Sequence, residues 1–353
     1  MRRRVAGAVL FGFGLLCVVL AAALAWVIVP MERKVPYDLV PPDVVVAAPD
    51  ATFVEAKLLS DGTPQVQVRH GLLQSTTGIK PDFKAAADLT GKLAGKTLIW
   101  NVYQATDWVD GNTAVDINRA ESRIALDRVS GAAVPWSGQC YNDVKVDKPD
   151  TTGCTPGNVE FTGHLYLFPF GTQKTTYQYY DSSLREALPM SYQGEEKFNG
   201  LPTYRFQQVV PQQNLPTDAE TMSGLLSFLA PWAKTATMSY QATRTMWVEP
   251  MTGAVVGYKE QQHRELVPDT GSTVTILDAS FQYDQKTLKA VGDQAKQGRS
   301  QLLLLGSYVP VGLLVVGLVC AVLGYLVTRR AAAAGAHRAD EVSEPEPSSV
   351  SPA

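Results

Sequence analysis

Two long apolar stretches near opposite ends of the chain dominate its hydrophobic pattern. Residues 5–29 and residues 302–328 contain no charged side chain. As α-helices rising about 1.5 Å per residue, they would be about 37–40 Å long, enough to cross a hydrocarbon core of about 30 Å. The pattern therefore predicts two transmembrane helices that bracket the rest of the chain.

Arginine residues flank both apolar stretches on the side away from the middle of the chain. Residues 2–4 are all arginine, and Arg329 and Arg330 follow the second stretch. Because basic residues are retained on the cytoplasmic side, residues 1–4 and 329–353 are predicted to be cytoplasmic, and residues 30–301 to form an extracytoplasmic domain of a plasma-membrane protein. A signal peptide cleaved after residues 23–25 is the alternative for the first stretch, although the stretch is longer than such peptides usually have.

The segment between the two stretches predicts a mainly β domain with a few helices. It contains runs rich in β-branched and aromatic residues, several with alternating polarity, separated by turn residues. These runs lie at residues 97–109, 164–168, 174–181, 203–210, 243–249 and 273–284.

Two segments have similar sequences around a predicted turn: "ALDRVSGAAVPW" (125–136) and "VEPMTGAVVGYKE" (248–260). In both, an acidic residue (Asp127 or Glu249) stands four positions before a glycine (Gly131 or Gly253). Asp127 can cap the first turn through its carboxylate, Pro250 suits the first corner of the second turn, and each glycine supplies the left-handed backbone that returns the chain. We interpret the match as shared turn chemistry, with a duplicated domain as the alternative.

One helix is predicted among the strands, over residues 217–233. It begins with a capping box formed by Thr217 and Glu220 after Pro216. Its large apolar residues recur at helical spacing: Leu225, Leu226, Phe228, Leu229 and Trp232. A core helix packed on the sheet is the favoured interpretation, and the alternative is an apolar surface on which these five residues contact a ligand or a membrane.

The four cysteines divide into two pairs. Cys17 and Cys320 lie inside the predicted spans and are expected to be small packing residues. Cys140 and Cys154 are the two in the predicted extracytoplasmic domain, where the compartment is oxidising, so a disulfide is predicted. Neither has a histidine nearby that could complete a tetrahedral zinc site, so we expect no metal there.

Composition and motifs exclude several classes of function. The formal net charge is −3, and no long basic run is present, which argues against nucleic-acid binding. We find no zinc-protease, nucleophile-elbow or phosphate-loop motif, and therefore expect a protein that is not an enzyme and has no cofactor. The alanine-rich segment from Ala331 and the Ser/Pro/Glu-rich residues after it predict a disordered tail.

Three segments, "LYLFPFGTQKTTYQYYDSSL", "FNGLPTYRF" and "RTMWVEPMTGAVV", together with the two terminal spans, resemble the actinobacterial porin PorA family of two-span membrane proteins. The resemblance covers nearly the whole chain and implies a cell-envelope protein, and it transfers no catalytic residue. The layout is also similar to that of class B scavenger receptors, although none of their motifs is present.

The function expected from these features is binding or transport of a hydrophobic, lipid-like envelope component by the β-rich domain. One alternative is a channel-forming porin subunit, which would need an oligomer because two helices cannot enclose a water-filled pore. The other is a structural or sensory envelope protein. The expected partners are membrane lipids and other envelope proteins.

Overall fold

The computed structural model describes residues 2–58, 61–144 and 154–342. The chain forms two compact units, one of residues 34–298 and one of the terminal segments 1–33 and 299–353. The unit of residues 34–298 is built mainly from strands, which confirms the predicted fold class.

Eleven strands form one antiparallel sheet in the described residues, in the order β5-β4-β3-β2-β1-β11-β10-β9-β8-β7-β6. The strands are β1 Val44–Leu58, β2 Pro64–Pro81, β3 Thr97–Asp110, β4 Thr113–Asp127, β5 Cys140–Val144, β6 Tyr177–Asp181, β7 Glu186–Phe198, β8 Leu201–Leu215, β9 Ala236–Glu249, β10 Ala254–Pro268 and β11 Val274–Tyr283. Two consecutive runs of neighbouring strands, β1–β5 and β6–β11, therefore meet where β1 pairs with β11. The predicted strand at residues 164–168 is wrong, because only His164 in it forms bridge pairs.

Six α-helices accompany the sheet in the described residues: α1 Arg2–Ala23, α2 Val29–Glu32, α3 Phe83–Ala87, α4 Ala219–Leu229, α5 Gln285–Leu303 and α6 Val309–Val342. Short π-helical segments, Leu24–Ile28 and Leu304–Tyr308, join α1 to α2 and α5 to α6. Helix α6 runs past the predicted end of the second span to Val342, where disorder was expected. Alanine has the highest helix propensity, so the run at residues 331–334 favours this extension. Residues 343–353 lie outside the described residues.

The two edges of the sheet are joined through two short segments. The first lies beside β4, where Val134 N donates to Ala125 O at 2.9 Å. Ala133 N in this segment donates to Gly163 O at 2.7 Å, which links it to the second segment. His164 N then donates to Gln178 O of β6 at 2.8 Å. These bonds close the curled sheet into a ring, and closure satisfies backbone groups that an open edge would leave unpaired.

The two similar turns have the same structure. Asp127 Oδ1 accepts from Ser130 N at 2.7 Å, and Glu249 Oε2 accepts from Thr252 N at 2.8 Å. The φ angles of Gly131 and Gly253 are +73° and +74°. Both glycines therefore take the predicted left-handed conformation and Asp127 caps its turn as predicted, while Glu249 caps the second turn in the same way.

Two helical segments of the described chain are long and apolar enough to cross a membrane, Val5–Ile28 and Gln285–Arg330, and the second begins within the unit of residues 34–298. Within the terminal unit, α1 and α6 approach so closely that a β-carbon added to Gly14 would lie 2.5 Å from Gly317 O. Cys17, with 4% of its surface exposed, packs at the same contact. Small residues permit such close packing of apolar helices, where no large side chain separates the backbones.

Candidate functional site

The inner face of the closed sheet surrounds a cavity of about 1600 Å³. Its lining comes from every strand except β7, among the described residues. Alternate residues line it, because successive side chains of a strand point to opposite faces. Three strands show this alternation most clearly: Leu73, Ser75, Thr77 and Ile79 of β2, Trp100, Val102, Gln104 and Thr106 of β3, and Tyr258, Glu260, Gln262 and Arg264 of β10.

One part of the cavity wall is strongly apolar. Trp100 is fully buried, and Phe161 and Leu165 pack around it in one cluster. The indole N–H of Trp100 and the hydroxyl of Tyr180 are buried without a hydrogen-bond partner among the described residues. Both residues line the cavity, but the two polar atoms themselves are buried, so this part of the wall is apolar.

A second part of the interior carries a buried ionic cluster centred on Arg244. Its guanidinium donates to Asp181 Oδ2 at 2.6 Å and to Gln208 Oε1 at 2.8 Å. The other terminal nitrogen lies 2.7 Å from Glu260 Oε1. Tyr240 donates its hydroxyl hydrogen to Asp181 at 2.8 Å. Residues of β6, β8, β9 and β10 thus meet in one network, in which two carboxylates share a single guanidinium.

The Arg244 network shifts the pKa of its members. Burial raises the pKa of Asp181, but the charge of Arg244 and the hydrogen bond from Leu184 N outweigh burial, so the pKa lies below its ordinary value. Burial lowers the pKa of Arg244, and the charges of Glu260 and the other neighbours more than compensate. Both groups therefore stay ionised at neutral pH.

The five predicted contact residues of α4 separate into two sets. Leu225, Leu226 and Leu229 pack against the cluster of Ala230, Met238 and Leu266. By contrast, 42% of Phe228 and 54% of Trp232 is exposed, and the Trp232 indole donates to Thr270 O at 3.0 Å. None of the five is among the residues that line the cavity in the described structure.

The capping box predicted for this helix is wrong by one position. Asp218 is the N-cap, and its Oδ1 accepts from Thr221 N at 2.8 Å. The Thr217 hydroxyl instead donates to Leu215 O at 3.1 Å. The helix ends at Leu229, four residues earlier than predicted, because Pro231 cannot continue it.

Cys140 and Cys154 form a disulfide, with their Cα atoms 5.5 Å apart. The bond ties the first residue of β5 to the segment that follows the undescribed residues 145–153. Among the described residues, no group of three or more His, Cys, Asp or Glu is arranged to hold a metal ion.

Sequence reasoning missed the cavity and the Arg244 network. The signal that existed was weak: "TYRF" (203–206) alternates between polar and apolar residues, whereas "KEQQHRE" (259–265) is polar throughout and therefore places polar groups on both faces of its strand. A polar residue on a strand is normally assigned to solvent, so the inward direction of Gln208, Glu260 and Arg264 required the structure.

A closed antiparallel sheet around a large cavity, together with a pair of apolar terminal helices, defines a cavity-containing β-domain protein that could be anchored in a membrane. The chain belongs to the Porin PorA family, whose family model matches residues 6–326. It is similar to a Porin PorA of Corynebacterium amycolatum, with 24% identity over 94% of this chain and 100% of that protein. It is also similar to a Porin PorA of Corynebacterium resistens, with 27% identity over 58% of this chain and 67% of that protein. Family membership makes it a porin-like envelope protein and confirms the resemblance seen in the sequence.

Proposed function

We propose that this protein is a porin-type envelope protein in which the cavity of the closed sheet is the compartment that a solute enters. The cavity of about 1600 Å³ is the observation that carries the proposal. Membership of the Porin PorA family supports the channel class over the lipid-binding function favoured from sequence. The arginine flanks of the apolar stretches support a plasma-membrane protein whose sheet domain is extracytoplasmic and whose termini are cytoplasmic.

The strands do not form the membrane-crossing element in this proposal. A transmembrane barrel carries an apolar outer band, whereas the outer face of β10 carries Lys259, Gln261, His263 and Glu265. The apolar helices anchor the chain, and several chains assemble where a continuous water-filled path is required. The sheet domain then sets which solute reaches that path.

Conductance of planar bilayers that contain the full-length protein tests this proposal. Thr77 lines the cavity, whereas its neighbour Thr76 lies on the opposite face of β2. Thr77→Cys is folded first and then labelled with a bulky thiol reagent, so that the block is introduced after folding. Labelling should reduce conductance by at least half in Thr77→Cys and leave labelled Thr76→Cys and the labelled parent protein unchanged.

The two cysteine variants separate the possible outcomes. Equal conductance before and after labelling of Thr77→Cys, with labelling verified by mass, places the path outside the cavity. Absence of conductance in the parent protein would overturn the channel function.

A second candidate, binding of a hydrophobic envelope component, is favoured by the apolar wall around Trp100. A lipid chain would bury apolar surface there at about 25 cal/mol per Å². Retention of lipid by the purified protein, together with absent conductance, would support this candidate over the first.

A further inference from the structure

A second arginine that lines the cavity, Arg264, lacks carboxylate partners like those of Arg244 among the described residues. Its Nη2 atom donates to Ser183 Oγ at 2.7 Å, and its guanidinium lies 5.4 Å from the centre of the Tyr240 ring. Its Nε atom is buried without a hydrogen-bond partner among the described residues. A guanidinium has five N–H donors, so most of the hydrogen-bonding capacity of Arg264 is unused.

Carboxylates near this arginine are engaged elsewhere. In the part of the chain that the structure describes, no carboxylate oxygen is paired with Arg264 within 4.0 Å. Asp181 and Glu260 both pair with Arg244. Asp143, which also lines the cavity, accepts from the hydroxyl of Tyr141 at 2.7 Å. A partly buried cation without a counter-ion is unfavourable, so the site favours an anion supplied from outside the chain.

A third arginine lies at the same part of the cavity wall. Arg185 stands in the turn between β6 and β7 with a φ angle of +58°, and its guanidinium lies 5.5 Å from the centre of the Tyr141 ring. Burial raises the pKa of Tyr141, whereas the charges of Arg185 and Arg264 oppose that rise. Ser183, which accepts from Arg264, lies two residues before Arg185 in the same turn, so the two arginines share this part of the wall, and neither forms an ion pair among the described residues.

Apolar side chains adjoin the two arginines. Leu277 is the direct cross-strand partner of Arg264 on β11. Leu184, Leu215 and Ile276 also line the cavity. A molecule whose charged group contacts Arg264 would therefore have aliphatic surface beside it for an apolar body.

We propose that Arg264, Arg185 and the Ser183 hydroxyl form a binding site for the acidic headgroup of an amphiphile whose apolar chain lies in the cavity. The inference rests on the proposed function, since it names the class of solute that the cavity takes. Arginine suits this role because its planar donors match phosphate and carboxylate oxygens in pairs. Ser183 accepts from Arg264 and keeps its own O–H free to donate to the anion.

Binding of octyl phosphate to the full-length protein in a neutral maltoside detergent, measured by calorimetry, tests the site. The expected result is binding that weakens at least tenfold in Arg264→Gln and in Arg185→Gln. Arg205→Gln is the matched control, because Arg205 is exposed on the opposite face of β8 from Phe206, which is buried on the inner side. It should bind octyl phosphate as the parent protein does.

Two further probes distinguish the sources of affinity. Inorganic phosphate should bind much more weakly than octyl phosphate, and octanol should bind weakly in the parent and all variants. If inorganic phosphate binds as tightly as octyl phosphate, the apolar chain contributes nothing and the ligand is not an amphiphile. If octanol binds as tightly as octyl phosphate, the acidic headgroup contributes nothing and the headgroup site is wrong. Binding that is unchanged in both arginine variants, or absent from the parent protein, would also overturn the proposal.

Failure of this site can be separated from failure of the proposed function. If labelled Thr77→Cys loses conductance while Arg264→Gln binds octyl phosphate normally, the cavity remains the solute compartment and the arginine site is wrong. If labelling changes nothing but the arginine variants lose binding, the anion site stands and the cavity is not a conduction path.

Discussion

At the scale of single residues, the interior of the sheet contains one arginine that pairs with two carboxylates and another that pairs with none among the described residues. Arg244 is 6% exposed and has two carboxylate partners, whereas Arg264 has a single hydroxyl partner among the described residues. Removing one carboxylate leaves Arg244 paired with the other, so the cost is that of a lost hydrogen bond to a charged group, about 1.5–3 kcal/mol. The two arginines therefore predict different consequences: loss of stability for the Arg244 network, and loss of binding for Arg264.

Asp181→Asn should lower the free energy of unfolding of the full-length protein by about 1.5–3 kcal/mol at pH 7, the range for a lost hydrogen bond to a charged group, because Glu260 still pairs with Arg244. The folded-state pKa of Asp181 is lowered, so its contribution is present above the ordinary aspartate pKa of about 3.9 and is lost as the pH falls through the folded value. The difference between parent and variant should therefore be constant above about pH 5 and shrink below about pH 4. Denaturant unfolding at several pH values measures it.

Asp293→Asn is the control for that experiment. Asp293 pairs with Lys289 on the surface of α5 and is 54% exposed, and exposed pairs contribute little. A loss of stability as large in Asp293→Asn as in Asp181→Asn, or a difference for Asp181→Asn that persists unchanged at pH 3, would contradict the assignment.

The disulfide gives a second prediction at the residue scale. The double change Cys140→Ser and Cys154→Ser should lower the melting temperature, since closing a loop of about 15 residues stabilises a domain by about 3 kcal/mol in the chain-entropy model. The bond should be present in the exported protein. Intact-mass analysis that finds both thiols free after non-reducing isolation would refute it.

At the scale of elements, α4 has two faces with different roles. Leu226 packs against the cluster that contains Met238 and Leu266, which come from β9 and β10. Phe228 projects from the opposite side and is 42% exposed. The helix is therefore held on the sheet by its leucines, while the side chain of Phe228 is partly exposed to solvent.

Leu226→Ser and Phe228→Ser form a matched pair that tests this division. Leu226→Ser should lower the free energy of unfolding by about 2–3 kcal/mol, because it removes packed apolar atoms. Phe228→Ser should change it by at most about 0.5 kcal/mol. Thermal unfolding measures both, and co-sedimentation with vesicles shows whether Phe228→Ser weakens lipid association. Equal destabilisation by the two changes would make α4 an ordinary core helix on both faces.

At the scale of the whole molecule, the predicted topology has both termini in the cytoplasm. Gly111 and Asn112 form the two-residue turn between β3 and β4, an exposed place where an insertion disturbs little. A reporter enzyme that is active only outside the cytoplasm should work when inserted between them and fail when fused after Ala353. The reverse pattern of activity would overturn the proposed orientation.

Several features of this protein follow from its sequence alone. The two runs of 25 and 27 uncharged, mainly apolar residues favour an apolar environment and are long enough to form spanning helices. They could therefore be recognised without a structure. The turns at Gly131 and Gly253 are also determined by a few neighbouring residues, because an acidic residue and a glycine four positions later specify the backbone between them. Strands such as β3 and β11 were found from their β-branched and aromatic residues for the same reason.

The cavity and its ionic groups depended on tertiary structure. Asp181 and Arg244 are 63 residues apart, and nothing near either residue in the sequence indicates the other. Which face of a strand turns inward also depends on register, which shifts within β1 between Ala48 and Ala51. A shift of one residue moves every following side chain to the other face, so alternation in the sequence defines two faces without choosing between them. Only the closure of the sheet, through residues 132–134 and 163–164, decides that Glu260, Gln262 and Arg264 of β10 face a cavity while the residues between them face outward.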